Sequence, residues 1–186
     1  MTERAVKARN YFLEGYNCAQ IFKLLEEKEV CTVAELENYA SNSQFADYWF
    51  LEGVERGTEN CLEGFLFPDT YDFYENSTPR AALEKMLDGF EYRVNEQIQA
   101  QIPVLNEHLT AMMRKNGSSE EFIAENQFDM RDVINVASLI EKETASNQES
   151  YRIASVIYNR LFNWGNTPRF LNIDATVIYA LGGKTD

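Results

Sequence analysis

Asp129-Met130-Arg131-Asp132-Val133-Ile134-Asn135-Val136-Ala137-Ser138-Leu139-Ile140-Glu141-Lys142-Glu143-Thr144-Ala145 is the stretch that decides the fold class. Its apolar residues recur at three- and four-residue spacing, the period of a helix with one buried face. At about 100° per residue, Val133, Ala137, Ile140 and Thr144 are expected at the centre of the buried stripe, with Lys142 turned away. Glu141 falls between Ala137 and Ile134, with Ser138 and Ala145 close by. Glu143 falls on the other flank, between Leu139 and Val136. Carboxylates at the edge of an apolar face are uncommon without a reason. Small neighbours leave room for something to approach Glu141, which makes it the catalytic candidate. The alternative for Glu141 is a helix-edge salt bridge. Glu143 has three readings: a supporting hydrogen-bonding group, a structural acid, or half of an i, i+2 metal pair. The last is disfavoured because residues two apart on a helix do not face each other.

Outward from this helix, local signals punctuate the chain. Asn17 with Gln20, and Thr32 with Glu35, have the spacing of capping boxes that open two short helices. The first carries the apolar stripe Ile21, Leu24 and Leu25. Thr2 to Phe12 is expected to be a short helix. Ser77-Thr78-Pro79 opens a long helix expected to reach Gln101, where Pro103 breaks or kinks it. Gly117 and Ser118-Ser119-Glu120-Glu121 end one helix and begin the next. Asp129 caps the Glu141 helix, Asn147 is expected to cap the one after it, and Gly165-Asn166-Thr167-Pro168 reads as a loop. Asp174 is expected to cap a last helix from Ala175 to Leu181, closed by Gly182. Between Glu63 and Tyr74 the pattern changes. Phe65, Phe67, Tyr71 and Phe73 share odd positions around a Pro68-Asp69 turn, which predicts an extended segment. The fold class is α+β, helix-rich, with few strands.

Composition narrows the function. The 186 residues are 45% hydrophobic and 25% charged, as in ordinary globular proteins. A net charge of −13 argues against nucleic acid as a partner. No apolar run approaches the ~20 residues of a membrane span, and the N-terminus lacks the apolar core of a secretory signal. The sequence therefore reads as soluble. Cys18, Cys31 and Cys61 do not have zinc-site spacing. They read as buried free thiols, with a Cys18–Cys31 disulfide as the alternative. Neither a metal nor a cofactor is expected.

Four segments in order resemble the endolytic murein transglycosylase (YceG-like, MltG) family. They are Glu14 to Phe22, Leu62 to Tyr71, Ala137 to Thr144, and Ala154 to Leu161 leading to Asp174-Ala175-Thr176-Val177-Ile178-Tyr179. The resemblance implies a peptidoglycan lytic transglycosylase that cuts glycan strands internally and leaves 1,6-anhydro-N-acetylmuramic acid ends. It implies a partial LysM-like module over residues 1–60 and a YceG-like catalytic domain over 61–186, incomplete at its C-terminal end. It further implies an extracytoplasmic site of action, a membrane anchor upstream of this chain, glycan strands as substrate and cell-wall synthases as candidate partners. The family's catalytic glutamate maps onto Glu141. Asn172 stands where the family pattern has Gln. The chain reads as an excised piece, since the family pattern begins earlier and continues past Gly183-Lys184-Thr185-Asp186.

In such an enzyme the muramic acid C6 hydroxyl attacks its own anomeric carbon, so one carboxyl group serves as acid and then as base. This differs from hydrolases, which use two carboxylates. A glutamate in that role has to be protonated near neutral pH, which partial burial favours. Glu63, Tyr71, Glu143, Asp174 and Thr176 are the candidate substrate-binding residues. For Asp174 the competing role is the helix cap. Phe65, Phe67 and Trp164 read mainly as core, with ring stacking on sugars as the alternative. Asn159 is expected to make a buried structural hydrogen bond, and His108 to be exposed.

Overall fold

A computed structural model describes residues 7–43, 45–55, 57, 61–144, 147–166 and 170–181. The chain divides into two compact units, 1–95 and 96–186. The fold is helix-rich α+β, with a single two-stranded sheet among the described residues.

The first unit begins with strand β1, Lys7–Tyr11, and not with the helix expected over Thr2 to Phe12. Residues 2–6 of that expectation lie outside the described residues. β1 pairs antiparallel with β2, Thr70–Tyr74, in a register that sets Lys7 opposite Tyr74 and Tyr11 opposite Thr70. The pairing decides the conformation here, because β propensity is a property of the partner and the buried face more than of the segment itself. Behind the sheet, Phe12 packs edge-on against Tyr71 and Phe73 at 5.9 and 6.2 Å between ring centroids.

Between the strands run α1, Cys18–Glu27, and α2, Val33–Asn42. Both start where the capping boxes are written, with Asn17 and Gln20 bonding reciprocally in one and Thr32 and Glu35 in the other. A 3-10 turn at Trp49–Leu51 follows, and then α3, Pro79–Arg93, capped by Thr78 with Pro79 in its first turn. Phe50, Phe65 and Phe90 form the aromatic centre of this core, with centroids 4.5 to 5.5 Å apart. α3 is shorter than expected: it stops at Arg93. A short helix, α4, covers Glu96–Gln99, and α5 covers Gln101–Lys115. Pro103 does not break a helix. It sits in the first turn of α5, where its missing N–H would have had no partner. The extended segment is also shorter than expected. Only β2 is a strand, and residues 61–65 form a turn in which Gly64 has φ of 81° and Phe65 N–H donates to Leu62 O at 3.0 Å.

The second unit contains α4, α5, α6 (Glu120–Glu125), α7 (Met130–Glu143), α8 (Asn147–Phe162) and α9 (Asp174–Ala180). One apolar cluster joins Leu109 and Met113 of α5, Ile123 of α6 and Phe162 of α8. A second joins Val136 of α7, Ile157 of α8 and Ile173 at the entry to α9. Asn106 holds the approach to α7: its side chain donates to Phe128 O at 2.9 Å and accepts from Phe128 N–H at 2.8 Å. Asp129 then caps α7 in a reciprocal box with Asp132. Asn147 is the first residue of α8, and Thr167, Pro168 and Gly182 of the expected loop and helix stop lie outside the described residues. Among the described residues no helix is long and apolar enough to cross a membrane.

Candidate functional site

The reading of α7 needs one correction. Val136 is the residue buried at its centre, and Ala137, expected at the middle of the stripe, is exposed. The summed apolar direction of α7 points along Val133 and Ile140, both half-buried, and the buried centre is displaced from it by about 60° to Val136. The packing partner α8 selects the face, through Val136 against Ile157. At about 100° per residue, Glu141 then lies roughly 140° from Val136 and Glu143 roughly 20° from it.

Glu141 is exposed in the last turn of α7, with Ala137 and Ser138 also exposed on its side of the helix. The Ser138 hydroxyl is turned back onto Asn135 O at 2.8 Å, so it is engaged with its own helix. Glu143 points the other way, to the wall of a cavity of about 280 Å³ between α7, α8 and the segment entering α9. Arg152, Ile153, Val156, Ile157 and Arg160 of α8 complete that wall together with Asn172 and Ile173. Arg160 also donates through Nη1 to Leu171 O, which ties the incoming segment to α8.

Asp174 is not the cap of α9. Ile173 occupies that position without a side-chain hydrogen bond, and Asp174 is the exposed first residue of the helix. The exposed Thr176 bonds back locally, its hydroxyl donating to Ile173 O at 2.7 Å. Glu143 and the residues immediately before Asp174 therefore meet at one cavity, and Glu141 lies outside it.

Glu63 and Tyr71 belong to the first unit. Both carboxylate oxygens of Glu63 lie 3.2 Å from the Cys18 N–H, so its charge sits on the positive N-terminal end of α1. Tyr71 is buried, its hydroxyl donates to Phe67 O at 2.9 Å, and burial pushes the phenol up to about 12, with the Asp69 charge adding to the rise. A second cavity, of about 580 Å³, is lined by Glu26, Glu29, Glu35, Cys31, Asn76 and neighbours. Of its acids, Glu26 accepts from Val33 N–H at 3.0 Å and Glu35 from Thr32 N–H at 2.9 Å, so two of the three serve the start of α2.

Phe65 is core, Phe67 is half-buried with the Arg93 guanidinium 5.3 Å from its centroid, and Trp164 is exposed. Asn159, expected to be buried, is exposed, while His108 is exposed as expected. The three cysteines are buried and are not joined in disulfides. Among the described residues no group of three or more His, Cys, Asp or Glu side chains could hold a metal ion. Arg152 and Arg160 went unread as cavity residues, because charged positions on an amphipathic helix look the same whether they face solvent or a hollow.

The YceG-like family model matches residues 1–186, the whole chain. The chain belongs to the YceG-like family. It is similar to a protein named endolytic murein transglycosylase from Bacillus subtilis (strain 168), 28% identical over 162 residues. That match covers 86% of this chain and 38% of the relative. A protein of the same name from Streptococcus pneumoniae serotype 2 (strain D39 / NCTC 7466) is 27% identical over 128 residues, which is 69% of this chain and 18% of the relative. The chain thus spans well under half the length of these relatives. The solved structure of a YceG-like protein from Listeria monocytogenes superposes with a TM-score of 0.66 at 22% identity, over 96% of this chain and 54% of that one, a likeness of fold.

Proposed function

We propose that this chain is a piece of an endolytic murein lytic transglycosylase and that Glu141 is its general acid and then its general base. The observation that carries the reading is the Glu141-Lys142-Glu143 triplet ending α7 in a chain whose full length matches the YceG-like family, with relatives named for this activity. Glu141 is exposed beside Ala137 and Ser138, so the partial burial expected of its acid role is not present in the chain as folded here. What supports the reading is the room this exposure leaves for a polymer strand.

In this mechanism the glycosidic bond between the muramic acid C1 and the glucosamine O4 breaks as Glu141 donates its proton to O4. The C6 hydroxyl of the same muramic acid forms the new C1–O6 bond, and its proton returns to the Glu141 carboxylate. Water takes no part, and the enzyme ends the cycle in its starting protonation state. Glu63, Tyr71, Glu143, Asp174 and Thr176 are the proposed substrate contacts. Residues 1–60 are proposed as a partial LysM-like module and residues 61–186 as a YceG-like catalytic domain. The strand–helix–helix–strand order of the first unit, in which β1 pairs with Thr70–Tyr74, supports a LysM-like module. In the complete protein the site would work outside the cytoplasm, near cell-wall synthases.

One observation favours a second reading, a non-catalytic glycan-binding or partner-docking piece: Glu141 is exposed and outside the cavity on the other face of its helix. Incubating the chain and its Glu141→Gln variant with uncrosslinked glycan strands separates the two. The catalytic reading expects anhydro ends by mass spectrometry from the chain and none from the variant. Equal yields would remove Glu141 from the mechanism, and reducing ends would mean hydrolysis with a second carboxylate. Strand binding without product from either protein would favour the docking reading.

A further inference from the structure

The cavity beside Glu143 is built unlike the surface around Glu141. Arg152 and Arg160 stand eight residues apart on α8, about 12 Å along the helix, and both line the same hollow. Ile153, Val156, Ile157 and Ile173 give it an apolar wall, and Glu143 faces it from α7. Glu143 and Arg152 are both exposed, and neither side chain makes an ion pair or hydrogen bond among the described residues. Arg160 spends one donor on Leu171 O, out of the five a guanidinium carries. An acid and two bases thus surround one concavity without Glu143 and Arg152 closing on each other, in a chain whose net charge of −13 repels anions elsewhere.

We infer that this cavity binds a short peptide bearing a free carboxylate. The carboxylate meets Arg152 and Arg160, whose planar forks suit it. Glu143 accepts a peptide N–H, and small aliphatic side chains lie on the isoleucine and valine wall. At about 280 Å³ the space falls at the lower end of ligand pockets, which run from ~300 Å³ upward, so the occupant is one or two residues long. Inorganic phosphate fits less well, because it offers nothing to the apolar wall and its greater negative charge is repelled by Glu143. The acidic peptide branches carried by murein strands have this chemistry, and naming them as the source rests on the murein reading above.

The test is amide NMR of the 186-residue chain titrated with N-acetyl-alanyl-glutamate, its fully amidated analogue, inorganic phosphate, and a chitin oligosaccharide that carries no peptide. The acidic dipeptide is expected to shift the amides of 152–160 and 171–173. Amidation, or Arg152→Gln, is expected to weaken binding about tenfold, the loss of one charge-assisted pair. The peptide-free oligosaccharide is expected to leave these amides unmoved. Equal binding of the amidated analogue, equal binding of phosphate, or no shift at millimolar dipeptide overturns the inference. Loss of dipeptide binding alongside continued anhydro-end formation sinks the peptide site alone. Dipeptide binding without anhydro ends sinks the catalytic reading alone.

Discussion

The Tyr71 phenol occupies the space that a side chain at residue 89 would need: a Cβ on Gly89 of α3 would stand 2.2 Å from its oxygen. Glycine inside a helix costs about 1 kcal/mol relative to alanine, so Gly89→Ala would ordinarily stabilise. Overpacking here costs about 1–3 kcal/mol, and the hydroxyl cannot swing away without losing Phe67 O. Gly89→Ala is expected to lower stability in urea denaturation. In the Tyr71→Phe background the nearest ring atom to the added Cβ is Cζ at 3.2 Å, and the penalty is expected to fall by about 1 kcal/mol. Additive effects in the double variant would show that strand and helix do not meet through this pair.

Glu63 offers a test of role. Its carboxylate accepts the first N–H of α1, a contact that stabilises by about 1 kcal/mol when made by a charged group at a helix start. Glu63→Ala is expected to destabilise the chain by that amount, measured by thermal unfolding. If Glu63→Gln instead leaves stability unchanged and reduces glycan binding, its role as a substrate contact outweighs the cap.

How much of this was legible depends on how far each element's cause lies along the chain. Asn17 with Gln20, Thr32 with Glu35, and Thr78 with Pro79 are causes three residues wide or less, and the helices begin where they are written. β1 is strand only because Thr70–Tyr74 lies beside it, and nothing within Lys7–Tyr11 announces a partner some sixty residues on. α7 was identifiable as an amphipathic helix, with Val133 and Ile140 of the expected stripe half-buried, but packing against α8 turns the buried centre by about 60° to Val136 and leaves Ala137 exposed. The Glu141-Lys142-Glu143 triplet was legible as the end of a helix. The cavity that receives Glu143 was not, since it is made by Arg152, Arg160 and Asn172 from elements joined only in the folded unit.

Cys31 provides a pH test. Burial, reinforced by the Glu35 charge, pushes its thiol up to about 11 from an ordinary 9.0. The unfolded chain loses that proton first, so the thiol's contribution to stability is fully present below about pH 9 and is lost as pH rises toward 11. Unfolding free energy is expected to decline through that window, and Cys31→Ala to flatten the decline. Alkylation of native Cys31 at pH 8 is expected to be roughly a hundredfold slower than that of a free thiol, because only the thiolate reacts. Rapid labelling under native conditions would mean that the α1–α2 junction opens.

Ala137 tests whether a strand approaches Glu141 over its small neighbours. Residues four apart on a helix are neighbours, and Ala137 is the small one on the Glu141 side. Because Ala137 is exposed, Ala137→Leu is expected to change stability by no more than about 0.5 kcal/mol. The added isobutyl group would cover the approach to the carboxylate. Anhydro-end formation is expected to fall at least about tenfold, the effect of misplacing a reacting bond by a fraction of a side chain. Dipeptide binding at the Glu143 cavity, on the opposite side of α7, is expected to stay unchanged. A variant that cleaves strands at the original rate would show that the substrate reaches Glu141 from another direction or does not reach it at all.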